Sequence, residues 1–446
     1  MENLRGRIGK VTMKSLSDAV ICCVDHGLFI PVAAKLAEQC KHVYWWSPWD
    51  RAYPTIKEWV VGEGYDNMTR VENIWDVKKD CDGFAFFDIG FGGLQLELES
   101  QGFPTWGSRK ADSLESNRGK FLKTIERLGM PVPKYKVITG ITKLREHLKG
   151  KSDKYVKISR WRGDAETTHW RDWDHDEGWL DLLAVKLGPM KDMIAFYVCD
   201  PIETDIEDGI DTFCINGIMP KMCIHGFEEK DKSYLATIAQ ADDIAPVVRE
   251  ASEMFAPVLA EYGYRNFFST EVRVKGDQGY FIDPCNRCGS PPAQVMTELY
   301  SNLGDIIWAG ANGECIEPEP AAEFGAQALI KTKGDRHSWA VADIPKEIRQ
   351  WVKAGNSCQI DGILVSPPDA DGSNDLGWLC AIGDTIQDTL DSLNDYARQL
   401  PDGLECDPSS LAHLLKEIHQ AEDEHGIEFT DQEVPEPSAV LESNGD

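Results

Sequence analysis

The chain contains no run approaching the ~20 apolar residues that span a bilayer. Its early apolar stretch Ala19–Val24 (AVICCV) is too short for a signal-peptide core. Neither a membrane anchor nor a secretory leader is therefore expected, and the reading is a cytoplasmic protein. Positive charge is scarce: 46 Lys and Arg stand against 75 Asp and Glu, a formal net charge of −29. Long-range repulsion of this size opposes non-specific binding to nucleic acid or anionic membrane, although a local basic groove could still reach a polynucleotide. Internal repeats are lacking. A second C-x-x-C pair is lacking too, so Cys285-Asn286-Arg287-Cys288 has only half the ligands of a structural zinc site. It also lacks the strand-to-helix context of a redox motif. No dinucleotide fingerprint is present; Gly90-Phe91-Gly92-Gly93 has the wrong spacing and reads as a tight turn.

What is present describes a folded, multi-domain protein. A length of 446 residues exceeds one core, and 42% hydrophobic content with 14 Trp excludes a disordered chain. The 13 cysteines are odd in number and scattered through apolar stretches, as expected of reduced, buried thiols. Ala19–Val24, His42–Trp46 and Gly83–Phe87 read as strands, with a helix over Pro31–Gln39, and this spacing implies a small parallel α/β domain. Further on, strands are expected at Lys136–Ile138, Tyr155–Ile158, Met193–Val198 and Thr212–Ile215. Val248, Ala251, Phe255, Val258 and Tyr262 share one helix face. Beyond residue 320, Gly325–Thr332, Ile360–Val365 and Trp378–Ile382 are strand-like, and a helix follows with Asp384 or Thr385 as its cap. The last residues, 421–446, read as an acidic, solvated, disordered tail.

The stretch richest in chemistry is Phe267–Pro292. Two β-rich runs, Phe267–Val274 and Tyr280–Asp283, flank the loop KGDQG. If Val274 faces Tyr280, then Glu271 faces Asp283 and Arg273 faces Phe281. Directly opposed carboxylates repel unless a cation sits between them. Two acidic groups on rigid strands suit Mg²⁺, which completes its shell with phosphate oxygens. A solvated acidic strand face is the other reading of the same residues. Lys157, leaving a β-like run beside the polar stretch 159–168, can hold phosphate as a point charge, or can be a surface lysine. Arg287, four residues beyond Asp283, can reach an anionic intermediate.

The order of these features resembles the ATP-grasp superfamily and, within it, the phosphoribosylamine–glycine ligases, over roughly residues 18–400. Trp106-Gly107-Ser108, Leu114-Glu115-Ser116 and Gly129-Met130-Pro131 are similar to that family's FGP, LEGSK and GIP segments. The TDIEDGID run ending at Asp211 is similar to its hinge, FIDPCNRCGSP to its VLEFNxRFGDP segment, and residues 378–400 to its C-terminal strand and helix. By that resemblance Arg118 and Lys157 take the places of the two ATP-binding lysines. The backbone near Asp205 and Ile206 would hold adenine, and Asp211 the ribose. Asp283 would be the metal-binding acid, with Glu271 a second, and Arg287 the arginine of the segment. Cys285 stands where an asparagine ligand is expected, with Asn286 displaced by one position as the candidate third ligand. A glycine-rich phosphate lid is replaced by SRWRGDAETT, and the family's DTGxNTGGMG segment has no counterpart in residues 225–240.

The resemblance implies an α/β protein, α+β in its central part, with ATP-grasp architecture. Its parts would be an N-terminal parallel α/β domain (18–108), a central ATP-grasp domain (109–320) and a small C-terminal α+β domain (321–420). The implied activity is ATP-dependent carboxylate–amine ligation through an acyl phosphate, giving ADP and phosphate, with Mg²⁺ or Mn²⁺. ATP and small carboxylate and amine molecules would be its ligands. Arg287, Arg273 and Arg162 would stabilise the acyl phosphate and close the site. The departures keep two alternatives open: a nucleotide-binding scaffold without turnover, and true phosphoribosylamine–glycine ligation.

Overall fold

The computed structural model describes residues 13–48, 60–159, 167–204, 206–334, 337–368, 373–438 and 440. Near the N-terminus, β1 (Val20–Val24), β2 (His42–Trp46), β3 (Met68–Arg70), β4 (Gly83–Phe86) and β5 (Thr105–Trp106) form a parallel sheet in the order β3-β2-β1-β4-β5. β1 and β4 are covered on both faces, which is why they read as unbroken apolar runs rather than alternating ones. The helix Ile30–Gln39 packs on one face, and Pro31 sits in its first turn, where the missing N–H costs nothing. Strand order reverses between β1 and β4, so the chain leaves those two strand ends in opposite directions.

A second, antiparallel sheet holds β6 (Tyr135–Thr139), β7 (Lys154–Ile158), β8 (Thr167–Trp170) and β9 (Ala195–Cys199) in the order β6-β9-β7-β8. Helices Ile141–Leu148 and Trp173–Leu187 cover one face, burying Leu144, Val156, Trp170, Leu180 and Phe196 in a separate small core. The sequence does not announce the second of these helices, because its buried stripe is narrow and Leu182 and Val185 point to solvent.

The largest sheet is antiparallel. β10 (Glu207–Asp208) and β11 (Ile210–Ile215) both pair with β14 (Arg265–Lys275), which pairs on its other side with β15 (Gln278–Cys285). From β11 the sheet continues through β12 (Met222–Glu229), β13 (Ser233–Gln240) and β16 (Phe324–Thr332) to β21 (Asp375–Gly383) and β18 (Val352–Ala354), while β22 (Leu404–Cys406) pairs with β16. The β13–β16 pairing carries one sheet across residue 320. Helices Pro246–Glu261, Ile386–Arg398 and Leu411–His425 lie against its core, the second capped by Thr385, whose hydroxyl accepts from the Asp388 N–H.

Two expectations change. Ile360–Val365 is a hairpin rather than one strand: β19 (Cys358–Ile360) and β20 (Ile363–Ser366), joined with β17 (Ala340–Ala342) in a three-stranded sheet. Asp361 and Gly362 both take positive φ (52° and 79°), the geometry an Asp-Gly pair adopts in a two-residue hairpin turn. Of the stretch after residue 421, the described part, 421–438, is packed rather than solvated: helix Leu411–His425 ends at Gly426 (φ 64°), and Ile427, Phe429 and Val434 are buried. Its acidic residues mask an apolar spacing that the sheet can cover. Among the described residues, no helix is long and apolar enough to cross a membrane.

Candidate nucleotide and ligase site

The β14–β15 hairpin closes on Gly276 and Asp277, with Lys275 opposite Gln278. Gly276 (φ 57°) fills the first central position, where a tight hairpin turn favours glycine. The turn is thus shorter than the five-residue loop expected, and Arg273 faces Tyr280 rather than Phe281. Continued unchanged, that register would set Glu271 against Ile282 and drive Asp283 into the apolar core beside Val272 and Phe281. A bulge prevents this: the register shifts between Glu271 and Val272, and Glu271 faces Asp283 as expected. One extra residue flips the pleat. Val272, Val274 and Phe281 stay inside while both carboxylates emerge on the same outer face.

Arg118 is bound to this bulge. It opens the helix Arg118–Leu128, which Asn117 caps by accepting from the Lys120 N–H (3.2 Å) and Gly129 (φ 78°) ends. Its Nη1 donates to the Ile282 carbonyl (2.8 Å) and its Nη2 to Asp283 Oδ2 (2.6 Å). Lys157, inside β7, reaches the same oxygen at 3.4 Å. The two sheets are drawn together here, since the Arg118 N–H donates to the Ser159 carbonyl (3.2 Å). A Cβ at Gly119 would stand 2.1 Å from the Tyr197 hydroxyl, so only glycine admits β9 this close.

The electrostatics separate the two acids. Burial alone would raise the Asp283 carboxyl, but Arg118 and then Lys157 outweigh it and hold that group below the ordinary carboxylate range. Glu271 opens to solvent at its tip, yet the surrounding protein strips most of its hydration. That desolvation, followed by the charges of Asp283, Glu207 and Glu228, pushes it well above the ordinary range, with Lys157 acting weakly the other way. Glu228, on the same sheet face, is raised to about 8 by desolvation and then by Asp211 and Glu207. A cation between Glu271 and Asp283 would relieve this repulsion.

Further along that face, Asp211 lies opposite Ser269 and accepts a 2.5 Å bond from the Tyr234 hydroxyl. Desolvation raises its carboxyl, while Ser269 and Tyr234 act to lower it. Gly226 is required by this contact, because a Cβ there would lie 2.1 Å from the Tyr234 hydroxyl. Ile206 is buried; its N–H donates to Thr204 Oγ1 (3.2 Å) and its carbonyl accepts from Val274 (3.3 Å). Asp205 and Arg162 lie outside the described residues.

The remaining candidates are engaged elsewhere. Arg273 donates to Glu207 (2.9 Å) across β10 and β14. Asn286 is fully buried: its N–H donates to Glu115 (2.8 Å) and its amide nitrogen to the Ala111 carbonyl (3.1 Å), while its Oδ1 has no partner among the described residues. Its side chain braces the loop after β15 instead of extending the Glu271–Asp283 pair. Cys285 is the residue that shares their strand face. Arg287 donates through Nε to Glu115 (3.0 Å), lies 3.7 Å from Asp88, and donates through Nη1 to the Cys288 carbonyl (2.7 Å). Burial alone would lower it, but the surrounding anionic groups hold it firmly charged. The structure therefore gathers Arg118, Lys157, Glu271 and Asp283, and sets Arg273, Asn286 and Arg287 around them. Glu115, Glu207, Glu228 and Tyr234 join them without being sequence candidates. Glu115 alone carried a signal, inside the Leu114-Glu115-Ser116 segment.

This mixed α/β fold matches that of solved ATP-grasp enzymes. Phosphoribosylamine–glycine ligase from Thermotoga maritima superposes with a TM-score of 0.66 at 13% identity, covering 87% of this chain and 98% of that one. L-amino acid ligase from Bacillus licheniformis gives 0.59 at 14% identity (88% and 99% covered), and biotin carboxylase from Campylobacter jejuni 0.60 at 12% (87% and 93%). No family model and no curated protein matches the sequence.

Proposed function

We propose that this protein is an ATP-dependent ligase that activates a carboxylate as an acyl phosphate and passes the acyl group to an amine, releasing ADP and phosphate. The observation that carries this reading is the bulge that turns Asp283 beside Glu271, with Arg118 and Lys157 both on Asp283. The solved neighbours, ligases and a carboxylase of the same fold, support it.

Among the described residues, no group of three or more His, Cys, Asp or Glu side chains is arranged to hold a metal ion. Two opposed carboxylates nevertheless fit Mg²⁺, or Mn²⁺, whose remaining positions are taken by water and nucleotide phosphates. Glu271 and Asp283 would hold it, and when bound it neutralises charge on the transferring phosphoryl group. Arg118 presents a fork of donors and Lys157 a compact charge, so incoming phosphate oxygens share the cations that Asp283 now occupies. Asp211, beside Ser269, is assigned to the ribose hydroxyls, and the chain around Ile206 to the adenine edge. Arg287, fixed by Glu115 and Asp88, faces the acyl phosphate. Arg273 positions Glu207.

The test is substrate-stimulated ADP release over a panel of carboxylates and amines. Asp283→Asn and Lys157→Ala should each abolish it; full turnover in either variant overturns the assignment. A second reading, nucleotide binding without turnover, is favoured by the turning of Asn286 into the core, which removes an amide from the metal site. Calorimetric binding of Mg·ATP with no ADP release on any acceptor would select it.

A further inference from the structure

On the core side of the large sheet, opposite the face that carries Asp211, lies an ion pair that the reaction itself does not use. His225, on β12, donates through Nε2 to Asp208 on β10 (2.8 Å to Oδ1, 3.0 Å to Oδ2), and both side chains are fully buried. Asp208 has a second duty. Where β10 passes into β11, the backbone N–H groups go to side chains: Gly209 donates to Asp208 Oδ1 (2.6 Å) and Ile210 to Thr270 Oγ1 (3.1 Å). A Cβ at Gly209 would stand 1.8 Å from the Thr270 carbonyl oxygen, so the join lies hard against β14. Ile206 and Asp211, on either side of this join, are the positions assigned above to the adenine edge and the ribose.

The C-terminal segment covers the pair. Phe429 packs on His225 at 5.5 Å and on Phe227 at 5.7 Å. Three hydrogen bonds fix the segment: the Phe429 N–H donates to Glu422 (3.2 Å), His419 Nε2 to the Pro435 carbonyl (3.2 Å) and the Gln432 amide to the Asp384 carbonyl (3.1 Å). Burial alone would lower His225, but the charge and hydrogen bond of Asp208, and then Asp211, outweigh it and hold the ring proton. Asp211, raised by desolvation, is drawn back by Ser269, by Tyr234 and then by His225. Apolar side chains would fill the same buried space at lower cost than an ion pair. What the pair supplies is direction, since a nitrogen shared between two oxygens fixes the Asp208 side chain and, through Gly209, the path of the chain.

We propose that His225 is a positioning residue for the nucleoside: held between Phe429 and Asp208, it sets the β10–β11 chain so that Ile206 and Asp211 meet base and ribose, and it thereby couples nucleoside binding to the C-terminal segment. The inference rests on the ligase reading above. The phosphate half of the site is held separately, by Arg118 and Lys157 on Asp283. The signature is therefore a split, in which His225 governs affinity for the nucleoside and leaves affinity for the triphosphate alone.

The full chain is titrated by calorimetry, with Mg²⁺ present, against a non-hydrolysable ATP analogue and against inorganic tripolyphosphate. Asp208→Asn keeps an oxygen for both N–H donors and should leave analogue affinity nearly unchanged. Combined with His225→Leu, which removes the ring donor and leaves no buried charge unpaired, it should weaken the analogue by about tenfold or more, within the span of coupling energies between sites. Tripolyphosphate affinity should hold in both variants. Coupling is reciprocal, so in the unaltered protein amide hydrogen exchange across residues 427–438 should slow when the analogue binds and not when tripolyphosphate binds. Unchanged analogue affinity in the double variant, a loss as large in Asp208→Asn alone, an equal loss for both ligands, or exchange across 427–438 that ignores the analogue would each overturn the proposal. Failure of both ligands to bind the unaltered protein would overturn the ligase reading instead.

Discussion

Arg118 and Asp283, 165 positions apart in sequence, form a 2.6 Å ion pair, and the same guanidinium grips the carbonyl of the bulged residue Ile282 at 2.8 Å. One side chain thus stabilises both the irregular backbone that exposes Asp283 and the charge that irregularity presents.

Arg118→Lys is therefore expected to be a non-conservative change, because an ammonium cannot span carbonyl and carboxylate together. Loss of a charge-assisted bond at this part-buried site should cost about 1–3 kcal/mol in denaturant unfolding. The affinity for Mg·ATP, measured by calorimetry, should fall in parallel.

The acidic cleft predicts a pH dependence. Glu228 has a folded-state pKa of about 8, while the unfolded value is about 4.3. Between those values the folded protein holds a proton that the unfolded chain has lost, so stability declines as pH rises through that window. Solvent at the exposed Glu228 tip keeps the effect below about 1 kcal/mol. Glu228→Gln should flatten the decline, read as the shift of urea midpoint between pH 5 and pH 8.

Gly226→Ala would force the Tyr234 hydroxyl away from Asp211, since the new Cβ would stand 2.1 Å from it. Overpacking of this kind costs about 1–3 kcal/mol. The ring carbons Cζ and Cε2 would also stand 2.3 and 2.6 Å from that Cβ, so adding Tyr234→Phe should not recover the stability in urea unfolding, and nucleotide affinity measured by calorimetry should fall in both variants if Asp211 serves the ribose.

Phe429 packs edge-on against Phe227 (5.7 Å) and tilted against His225 (5.5 Å), and His225 forms a fully buried 2.8 Å pair with Asp208 on the core side of the large sheet. Phe429→Ala should lower stability by about 3–5 kcal/mol by opening a cavity there. A change near zero in thermal or denaturant unfolding would restore the view of this segment as a solvated tail.

Much of this architecture is legible without coordinates. The unbroken apolar runs at 19–24 and 83–87 signal strands covered on both faces, and Gly129 marks the end of a helix. The Glu271–Asp283 opposition follows from strand alternation even though the turn differs from the one expected. The hairpin Met222–Gln240 is not legible in the sequence because both strands are buried on mixed faces and show no clean alternation. The side chain of Asn286 takes a direction that strand spacing does not fix. Sequence gives its distance from Asp283 but not the direction of its side chain, which a buried contact with Ala111 decides.

Local order was thus determined by the sequence: strand and helix periods, turn glycines, and acids at alternating positions, all of which depend on neighbours a few residues apart. Tertiary structure decided which charges meet. The bulge at Ile282, the reach of Arg118 and Lys157 to one carboxylate oxygen, and the pairing of Arg287 with Glu115 and Asp88 depend on long-range packing. Charges become a site through distance and desolvation, and neither quantity is a property of one stretch of chain.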